Sequence, residues 1–320
     1  MDFKSIVAVV GQDFAAVDTF IQDSLRSQVP LVNEVGRYIV QGGGKRLRPL
    51  VCLLSARAAG YEGGRHVDVA AIIELLHTAT LLHDDVVDDS GLRRGRATAN
   101  ARWDNPTAVL VGDYLISKAF QMVVSLRNPV VMDIMASGTC VIAEGEVLQL
   151  INQRDPDTTE QRYMDVIYGK TAKLFETAAE SGASLGNEAL RPAFAAYARH
   201  LGAAFQIIDD VLDYTSSAEV MGKNVGDDLA EGKPTLPLIQ AMKTAPAADA
   251  DLIRQAIRSG GLEHLQQIIA IVQKSGALDY TRERARQETE LALQALADVP
   301  ASGYKTALEQ LTKLALVRNN

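Results

Sequence analysis

The sequence has few cysteines, no excess of basic charge and no long uncharged run. A net charge of −8 over 320 residues argues against a nucleic-acid-binding protein, which carries a basic surface patch. The two cysteines, Cys52 and Cys140, lie in separate apolar segments. That usage predicts reduced core residues of a cytoplasmic protein rather than a disulfide framework or a metal site. No run approaches the ~20 uncharged residues of a transmembrane helix, and the apolar run at 6–10 is too short for a signal peptide.

Linkers, repeats and alternating strands are also missing. Ten prolines and 24 glycines form no linker, and 47% hydrophobic residues can build a large core, so we expect one domain over 1–320. No alternating strand and no repeat of solenoid period is found. Helical periodicity runs throughout and predicts an all-α fold. The expected helices cover about 6–27, 30–41, 49–59, 66–88, 107–126, 130–154, 158–181, 188–215 and 234–244, with shorter ones to 316.

Two clusters of aspartates lie at the ends of long apolar helical segments. The clusters are Asp84, Asp85 and Asp88, and Asp209, Asp210 and Asp213. The first and last aspartate of each cluster share one helix face, because residues four apart do so. Like charges at that spacing destabilise a helix, and more so beside apolar residues. Two such clusters therefore predict sites for a hard cation such as Mg²⁺, which is bound by carboxylate and phosphate oxygens.

Basic residues near these clusters supply the complementary charge. The segment GGGKRLRP at 42–49 is a glycine loop followed by cations and a helix start, which favours anion binding. It lacks the spacing of a nucleotide P-loop. With the aspartates, the cations indicate a site for two polyphosphates, one bound through metal and one directly by Arg and Lys. The cations are Lys45, Arg46, Arg48, Arg93, Arg94, Lys170, Lys223 and Lys233, and Thr171 follows Lys170.

These segments resemble the trans-isoprenyl diphosphate synthases, most of all the long-chain, octaprenyl-type branch that makes quinone side chains. The likeness covers essentially the whole chain, and the motifs agree in order, spacing and identity. It implies a single-domain antiparallel helical bundle around a large central cavity, the isoprenoid synthase type. The matching motifs are GGGKRLRP at 42–49, LLHDDVVDDSGLRRG at 81–95, GDYL at 112–115, YGKTAKLF at 168–175, FQIIDDVLDY at 205–214 and GKNVGDDLAEGKPTLP at 222–237.

The resemblance implies a role for each matched residue. The six aspartates would bind three Mg²⁺ ions that bridge the allylic diphosphate, a substrate that Arg93, Lys170, Lys223 and Lys233 would also contact. Isopentenyl diphosphate would be bound by Lys45, Arg48, His77 and Arg94. Thr171 and Gln206 would face the developing carbocation. The resemblance also implies a homodimer, a role in ubiquinone biosynthesis and loose membrane association for product release.

Small residues before the first aspartate cluster indicate a long product. Ala79 and Thr80 lie one turn before Asp84, where short-chain members of the family tend to have bulky aromatic residues. Their small size implies an open groove along segment 66–88, with Leu76 deeper in it. The segment is about 34 Å long, which accommodates roughly six or seven extended isoprene units and favours a product near C40.

Four alternatives stay open at this point. A related synthase could make a shorter product, such as geranylgeranyl diphosphate. A terpene cyclase ionises the same kind of substrate, but it generally lacks GGGKRLRP and a second full DDxxD. A non-catalytic partner subunit typically loses aspartate motifs that this chain keeps. Finally, Glu74 and His77 form a Glu-x-x-His motif of the kind found in di-iron bundles, but the second motif that such a site needs is absent.

Overall fold

The computed structural model describes residues 2–215, 226–260 and 263–317. Apart from one short hairpin, the regular elements of these residues are helices, and the prediction of an all-α fold is confirmed. The chain divides into two compact units. Unit 1 comprises Met1–Gly138, Leu174–Ala198 and Ala295–Leu311, and unit 2 comprises Thr139–Lys173, Arg199–Gln294 and Thr312–Asn320. A single domain around a central cavity stays a prediction.

The N-terminal part of unit 1 is built around one buried helix, α5. Its side chains Ile72, Ile73 and Leu75 are fully buried, because the segment is apolar on nearly every face. Asp104 caps the following long helix by accepting a 2.7 Å hydrogen bond from the Thr107 amide. The helices are α1 (Phe3–Ala8), α2 (Gly11–Ser24), α3 (Pro30–Val40), α4 (Leu47–Ala58), α5 (Arg65–Val87), α6 (Ala99–Arg102) and α7 (Asn105–Ser125).

The remaining elements follow the predicted pattern with finer divisions. They are α8 (Pro129–Asn152), α9 (Glu160–Val166), a π-helix (Ile167–Ala172), α10 (Lys173–Ser184), a 3₁₀-helix (Glu188–Leu190), α11 (Arg191–Leu212), α12 (Asp227–Ala230), α13 (Leu236–Thr244), α14 (Ala247–Ser259), α15 (Leu265–Lys274), α16 (Ala277–Ala295) and α17 (Gly303–Leu316). Within unit 2, buried Leu238, Ile253 and Ile268 form one apolar cluster, and Ile207, Leu236 and Ala285 belong to another.

Three expectations from the sequence need correction. The helix expected over 6–27 is divided between α1 and α2. Antiparallel strands β1 (Leu92–Arg93) and β2 (Arg96–Ala97) form a hairpin that was missed because two residues are too few to show alternation. Cys52 is buried as expected, but Cys140 is exposed, because it lies on a side of α8 that this chain leaves uncovered.

Two helices in the described part of the chain are long and apolar enough to cross a membrane. They are α7 and α8, with mean hydropathies of 1.3 and 1.4 over their most apolar windows. Neither contains about 20 uncharged residues in a row, since Asp113 and Lys118 interrupt α7 and Asp133 and Glu144 interrupt α8. The test considers length and composition alone, and 33% of the α7 window and 28% of the α8 window are buried in the structure.

Candidate active site

The first aspartate cluster forms the C-terminal end of α5 in unit 1. The Asp88 amide donates to the Asp84 carbonyl over 2.8 Å, so these two residues lie one turn apart and both are half-buried. Asp85 is 1% exposed, and its Oδ1 accepts from Nε and Nη2 of Arg93 over 2.7 Å. Burial raises the pKa of Asp85, although Arg93 acts in the opposite direction. Asp85 therefore fixes Arg93 beside the cluster.

The β1–β2 hairpin places a second arginine against the glycine loop. Arg94 lies in the hairpin turn with a φ of 54°, and burial lowers the pKa of its guanidinium. A Cβ on Gly44 would come within 2.6 Å of Arg94 Nη1, so only glycine permits this approach without a shift. The structure thus brings together the glycine loop and the arginine pair that lie about 50 residues apart in the sequence.

Arg48 and His77 form a polar pair between α4 and α5. Arg48 Nη1 lies 3.2 Å from His77 Nε2, and the guanidinium carbon lies 4.5 Å from the centre of the Phe175 ring. Burial lowers the pKa of Arg48 to about 10. Burial, followed by the charges of Arg48, Arg94 and Arg93, lowers the pKa of His77 well below its usual value. His77 is therefore neutral at pH 7 and can accept a hydrogen bond at Nε2.

Arg46 has a different role from the cations on either side of it. Its guanidinium forms an ion pair with the buried Glu74 and donates to the Val40 carbonyl over 3.0 Å. The Glu74 carboxylate is thus neutralised by Arg46, and the His77 ring contacts Arg48. The Glu-x-x-His pair therefore does not form half of a di-iron site. Lys45 is exposed in the loop before α4.

In unit 2, Asp210 is held at both carboxylate oxygens. Tyr163 OH donates to Oδ2 over 2.6 Å, and Gln206 Nε2 donates to Oδ1 over 2.9 Å. Thr171 Oγ1 in turn donates to Gln206 Oε1 over 3.2 Å. Burial and the charge of Asp228 raise the pKa of Asp210 well above its usual value. Sequence reasoning missed Tyr163, because an aromatic residue within an amphipathic helix looks like ordinary core.

The π-helix carries Lys170 and Thr171. Lys170 Nζ forms a 2.6 Å ion pair with Glu146 Oε2 on α8, a partner that the sequence did not indicate. The helices approach closely here, since a Cβ on Gly145 would lie 2.5 Å from the Lys170 amide nitrogen. Single π-helical turns within α-helices often occur at functional sites. Unit 2 therefore assembles Lys170, Thr171, Gln206 and Asp210 into one region.

The other predicted site residues are placed as follows. Asp209 is half-buried and Asp213 is buried, and the two are joined by a 3.1 Å backbone hydrogen bond. Lys233 is ion-paired with Glu231, and Lys223 lies outside the described residues. Of the product-length residues, Ala79 and Leu76 are 0% and 4% exposed, whereas Thr80 is half-buried and donates to the His77 carbonyl over 2.8 Å.

A cavity of about 850 Å³ in unit 1 is lined by Asp13, Arg57 and Tyr304, among others, and includes none of the predicted site residues.

The carboxylates of the two aspartate clusters fit Mg²⁺ if oxygens of water and substrate complete the coordination of the ion. Among the described residues, no three His, Cys, Asp or Glu side chains converge to hold an ion. Mg²⁺ usually keeps several waters and is bound by one or two carboxylates with substrate phosphates. The half-buried Asp84, Asp88 and Asp209 are suited to that mode of binding.

Comparison with known proteins identifies the family of the chain. The sequence model of the polyprenyl synthetase family matches residues 29–273. An all-trans-nonaprenyl-diphosphate synthase (geranyl-diphosphate specific) from Rhodobacter capsulatus is 57% identical over 99% of both chains. The octaprenyl diphosphate synthase of Escherichia coli is 49% identical over 100% of both. The chain therefore belongs to the polyprenyl synthetase family and is a prenyltransferase, a trans-prenyl diphosphate synthase.

Solved structures confirm the fold. A polyprenyl synthase from Caulobacter crescentus, complexed with calcium and isoprenyl diphosphate, superposes with a TM-score of 0.96 at 39% identity and covers 100% of this chain and 98% of its own. A decaprenyl diphosphate synthase from Rhodobacter capsulatus has a TM-score of 0.94 at 42% identity, with 100% of both chains covered.

Proposed function

We propose that the protein extends an allylic diphosphate primer with isopentenyl diphosphate to a long all-trans chain of the octaprenyl to decaprenyl class. The observation that carries this proposal is the chain of hydrogen bonds from Thr171 through Gln206 to Asp210, beside Lys170. A cation, polar acceptors and a carboxylate in one region would suit the ionisation of an allylic diphosphate. The nonaprenyl, octaprenyl and decaprenyl diphosphate synthases described above are named for products of this length, which supports the long-chain assignment.

The proposed site residues suit separate parts of the reaction. Arg93 and Lys170 would bind the allylic diphosphate and offset the charge that develops as it leaves. The oxygens of Thr171 and Gln206 would stabilise the allylic cation. Asp84, Asp88, Asp209 and Asp213 would hold Mg²⁺, which when bound neutralises the diphosphate charge. Asp210 would act as an anchor for Gln206, because both of its oxygens already accept hydrogen bonds.

The second substrate would be bound by the basic group of unit 1. Arg48, Arg94 and Lys45 supply positive charge for isopentenyl diphosphate, and the neutral His77 orients Arg48. Apolar helices exclude water, which would otherwise quench the cation. The alkene of isopentenyl diphosphate attacks the allylic carbon, and loss of a proton regenerates an allylic diphosphate. No side-chain base is required, because the released diphosphate can accept that proton.

A product analysis tests the proposed function. The purified protein is incubated with Mg²⁺, labelled isopentenyl diphosphate and either geranyl or farnesyl diphosphate, and the dephosphorylated products are sized. We expect chains of about C40–C50 from at least one primer. Products that stop at C20 would instead support the geranylgeranyl-type alternative, and cyclic hydrocarbons would support a terpene cyclase.

We also propose that the protein is a homodimer, as the resemblance implies. On α7, Leu110 and Val124 are 66% and 61% exposed, and Val109 is 37% exposed. Leu110 and Val124 are about four turns apart and share one face of α7, and an exposed apolar face can mark a protein–protein interface, so a second copy of the chain is the occupant that we expect there. A role in ubiquinone synthesis and a cytoplasmic location remain predictions from the resemblance and the composition.

A further inference from the structure

A buried carboxylate on α16 accepts hydrogen bonds from two other elements of unit 2. The Glu288 side chain is 1% exposed. Its Oε1 accepts from Tyr168 OH over 2.9 Å and from Arg284 Nη2 over 3.1 Å, and its Oε2 lies 2.7 Å from His200 Nδ1. Burying a carboxylate is unfavourable unless it is paired and hydrogen-bonded. The three donors meet that requirement.

The carboxylate is ionised at neutral pH. Burial has the largest single influence and would raise the pKa of Glu288, but hydrogen bonds from His200 and Tyr168 together lower it below the usual value. The Tyr168 hydroxyl stays protonated, since burial and the Glu288 charge raise its pKa to about 12. Tyr168 is thus a permanent donor to this carboxylate.

Two of the three donors belong to elements that carry candidate site residues. Tyr168 lies in the π-helix, two residues before Lys170, and its ring is covered by the guanidinium of Arg199 at 4.5 Å. His200 lies on α11, six residues before Gln206. A π-helix is rare and occurs mostly as a single irregular turn within an α-helix, so a tertiary contact at that turn helps to hold it. The Tyr168–Glu288 bond supplies such a contact on the turn that presents Lys170 and Thr171.

We propose that Glu288 is a positioning residue for the allylic diphosphate site: through Tyr168 it fixes the π-helix, and through His200 it fixes α11. This role rests on the proposed function, in which Lys170 contacts the allylic diphosphate. Because Glu288 acts on the geometry of Lys170 and Thr171, its loss affects binding of the primer. Binding of isopentenyl diphosphate, which is assigned to unit 1 residues, is unaffected.

Tyr168→Phe tests this role by removing one hydroxyl. We expect the KM for the allylic primer to rise about 3- to 10-fold, the effect of one lost hydrogen bond, with the KM for isopentenyl diphosphate unchanged. Tyr280→Phe is the matched control, because Tyr280 on α16 also donates to a glutamate, Glu160, over 2.7 Å. That bond is exposed and joins α16 to the first turn of α9, about two helical turns before the π-helix. Glu160 keeps its ion pair with Arg284 in this variant, so neither KM is expected to change.

Two further variants make every outcome informative. Glu288→Gln keeps an oxygen that can accept from Tyr168 but removes the charge that faces His200 and Arg284. We expect this variant also to raise the KM for the primer. If Tyr168→Phe does not fold, the primer KM of Glu288→Gln tests the role of Glu288. Equal primer KM values in Tyr168→Phe and Tyr280→Phe, or an equal rise for both substrates, would overturn the role of Glu288. Lys170→Ala and the product analysis separate the two proposals, because an unchanged primer KM in Lys170→Ala contradicts the role of Lys170 in primer binding, and products other than long prenyl chains contradict the proposed function itself. If the primer KM rises strongly in Lys170→Ala but does not rise in Tyr168→Phe, only the role of Glu288 is contradicted.

Discussion

Arg46 and Arg48 lie two residues apart in one motif, yet their surroundings give them different tasks. Arg46 neutralises Glu74 and donates to a backbone carbonyl, so its charge is used within the fold. Arg48 meets a neutral histidine and an aromatic ring instead, and its charge stays available to a ligand. One basic segment therefore contains an arginine that is ion-paired within the fold and an arginine that we propose binds substrate.

This difference leads to a prediction about the two substrate sites. Arg48→Lys keeps the charge but loses the planar fork and its contact with His77. It should raise the KM for isopentenyl diphosphate by roughly 10-fold or more, because a charge-assisted hydrogen bond contributes about 1.5–3 kcal/mol. Arg93→Lys should instead raise the KM for the allylic primer. Steady-state kinetics with each substrate varied in turn checks both, and equal effects on the two substrates would contradict the division into two sites.

The aspartates lead to a second prediction at this scale. Asp84→Ala and Asp209→Ala should each lower kcat by about 10³-fold, as expected when a main electrostatic stabiliser of the transition state is lost. The Mg²⁺ dependence of the residual activity should shift to higher concentration. Asp89→Asn is the control, because Asp89 is exposed next to the first cluster and is expected to leave kcat near normal. Near-normal turnover in a folded Asp84→Ala variant would show that the metal assignment is wrong.

At the scale of elements, α5 combines a proposed substrate-binding end with a packed interior. The helix ends at the cluster that contains Asp84 and Asp88. One turn before Asp84, Thr80 is half-buried, whereas its neighbour Ala79 is fully buried. Ala79 is small either because a groove passes it or because a neighbouring helix packs against it. The two explanations lead to different products when the residue is enlarged.

Ala79→Tyr distinguishes the two explanations. If the groove follows α5, the ring blocks it, and the main product should shorten to about C15–C20 while the first condensation still occurs. Some loss of stability is expected, since overpacking a core typically costs about 1–3 kcal/mol, so Tm is measured alongside product length. Ala79→Ser adds one atom and should keep the product length. An active Ala79→Tyr enzyme with an unchanged product would place the groove elsewhere.

For the whole molecule, the exposed apolar face of α7 leads to a prediction about assembly. Leu110→Glu combined with Val124→Glu should convert a dimer into a monomer, because charged side chains are unfavourable in a buried interface. Light scattering coupled to gel filtration measures the mass. Val29→Glu is the matched control, since Val29 is 54% exposed but precedes α3. A monomeric mass for the unmodified protein would contradict the dimer directly.

Short-range patterns in the sequence determined much about this protein. The helical period, the two aspartate clusters and the GGGKRLRP segment all depend on residues within about two helical turns, whose relative positions the backbone alone fixes. From these patterns the all-α fold and the family follow, and both are confirmed. Patterns of this kind could not show the two-residue strands or that Cys140 is exposed.

Only the tertiary structure decided which partner each polar side chain has. Arg46 reaches Glu74 across 28 residues of sequence, Tyr163 reaches Asp210 across 47 and Tyr168 reaches Glu288 across 120. In the sequence these residues look like surface charges or core aromatics, because a buried polar group is recognised only by the neighbours that packing brings to it. The residue types of the proposed site could therefore be suggested from the sequence, and they stay a prediction, but the contacts that hold these residues in place could not be predicted.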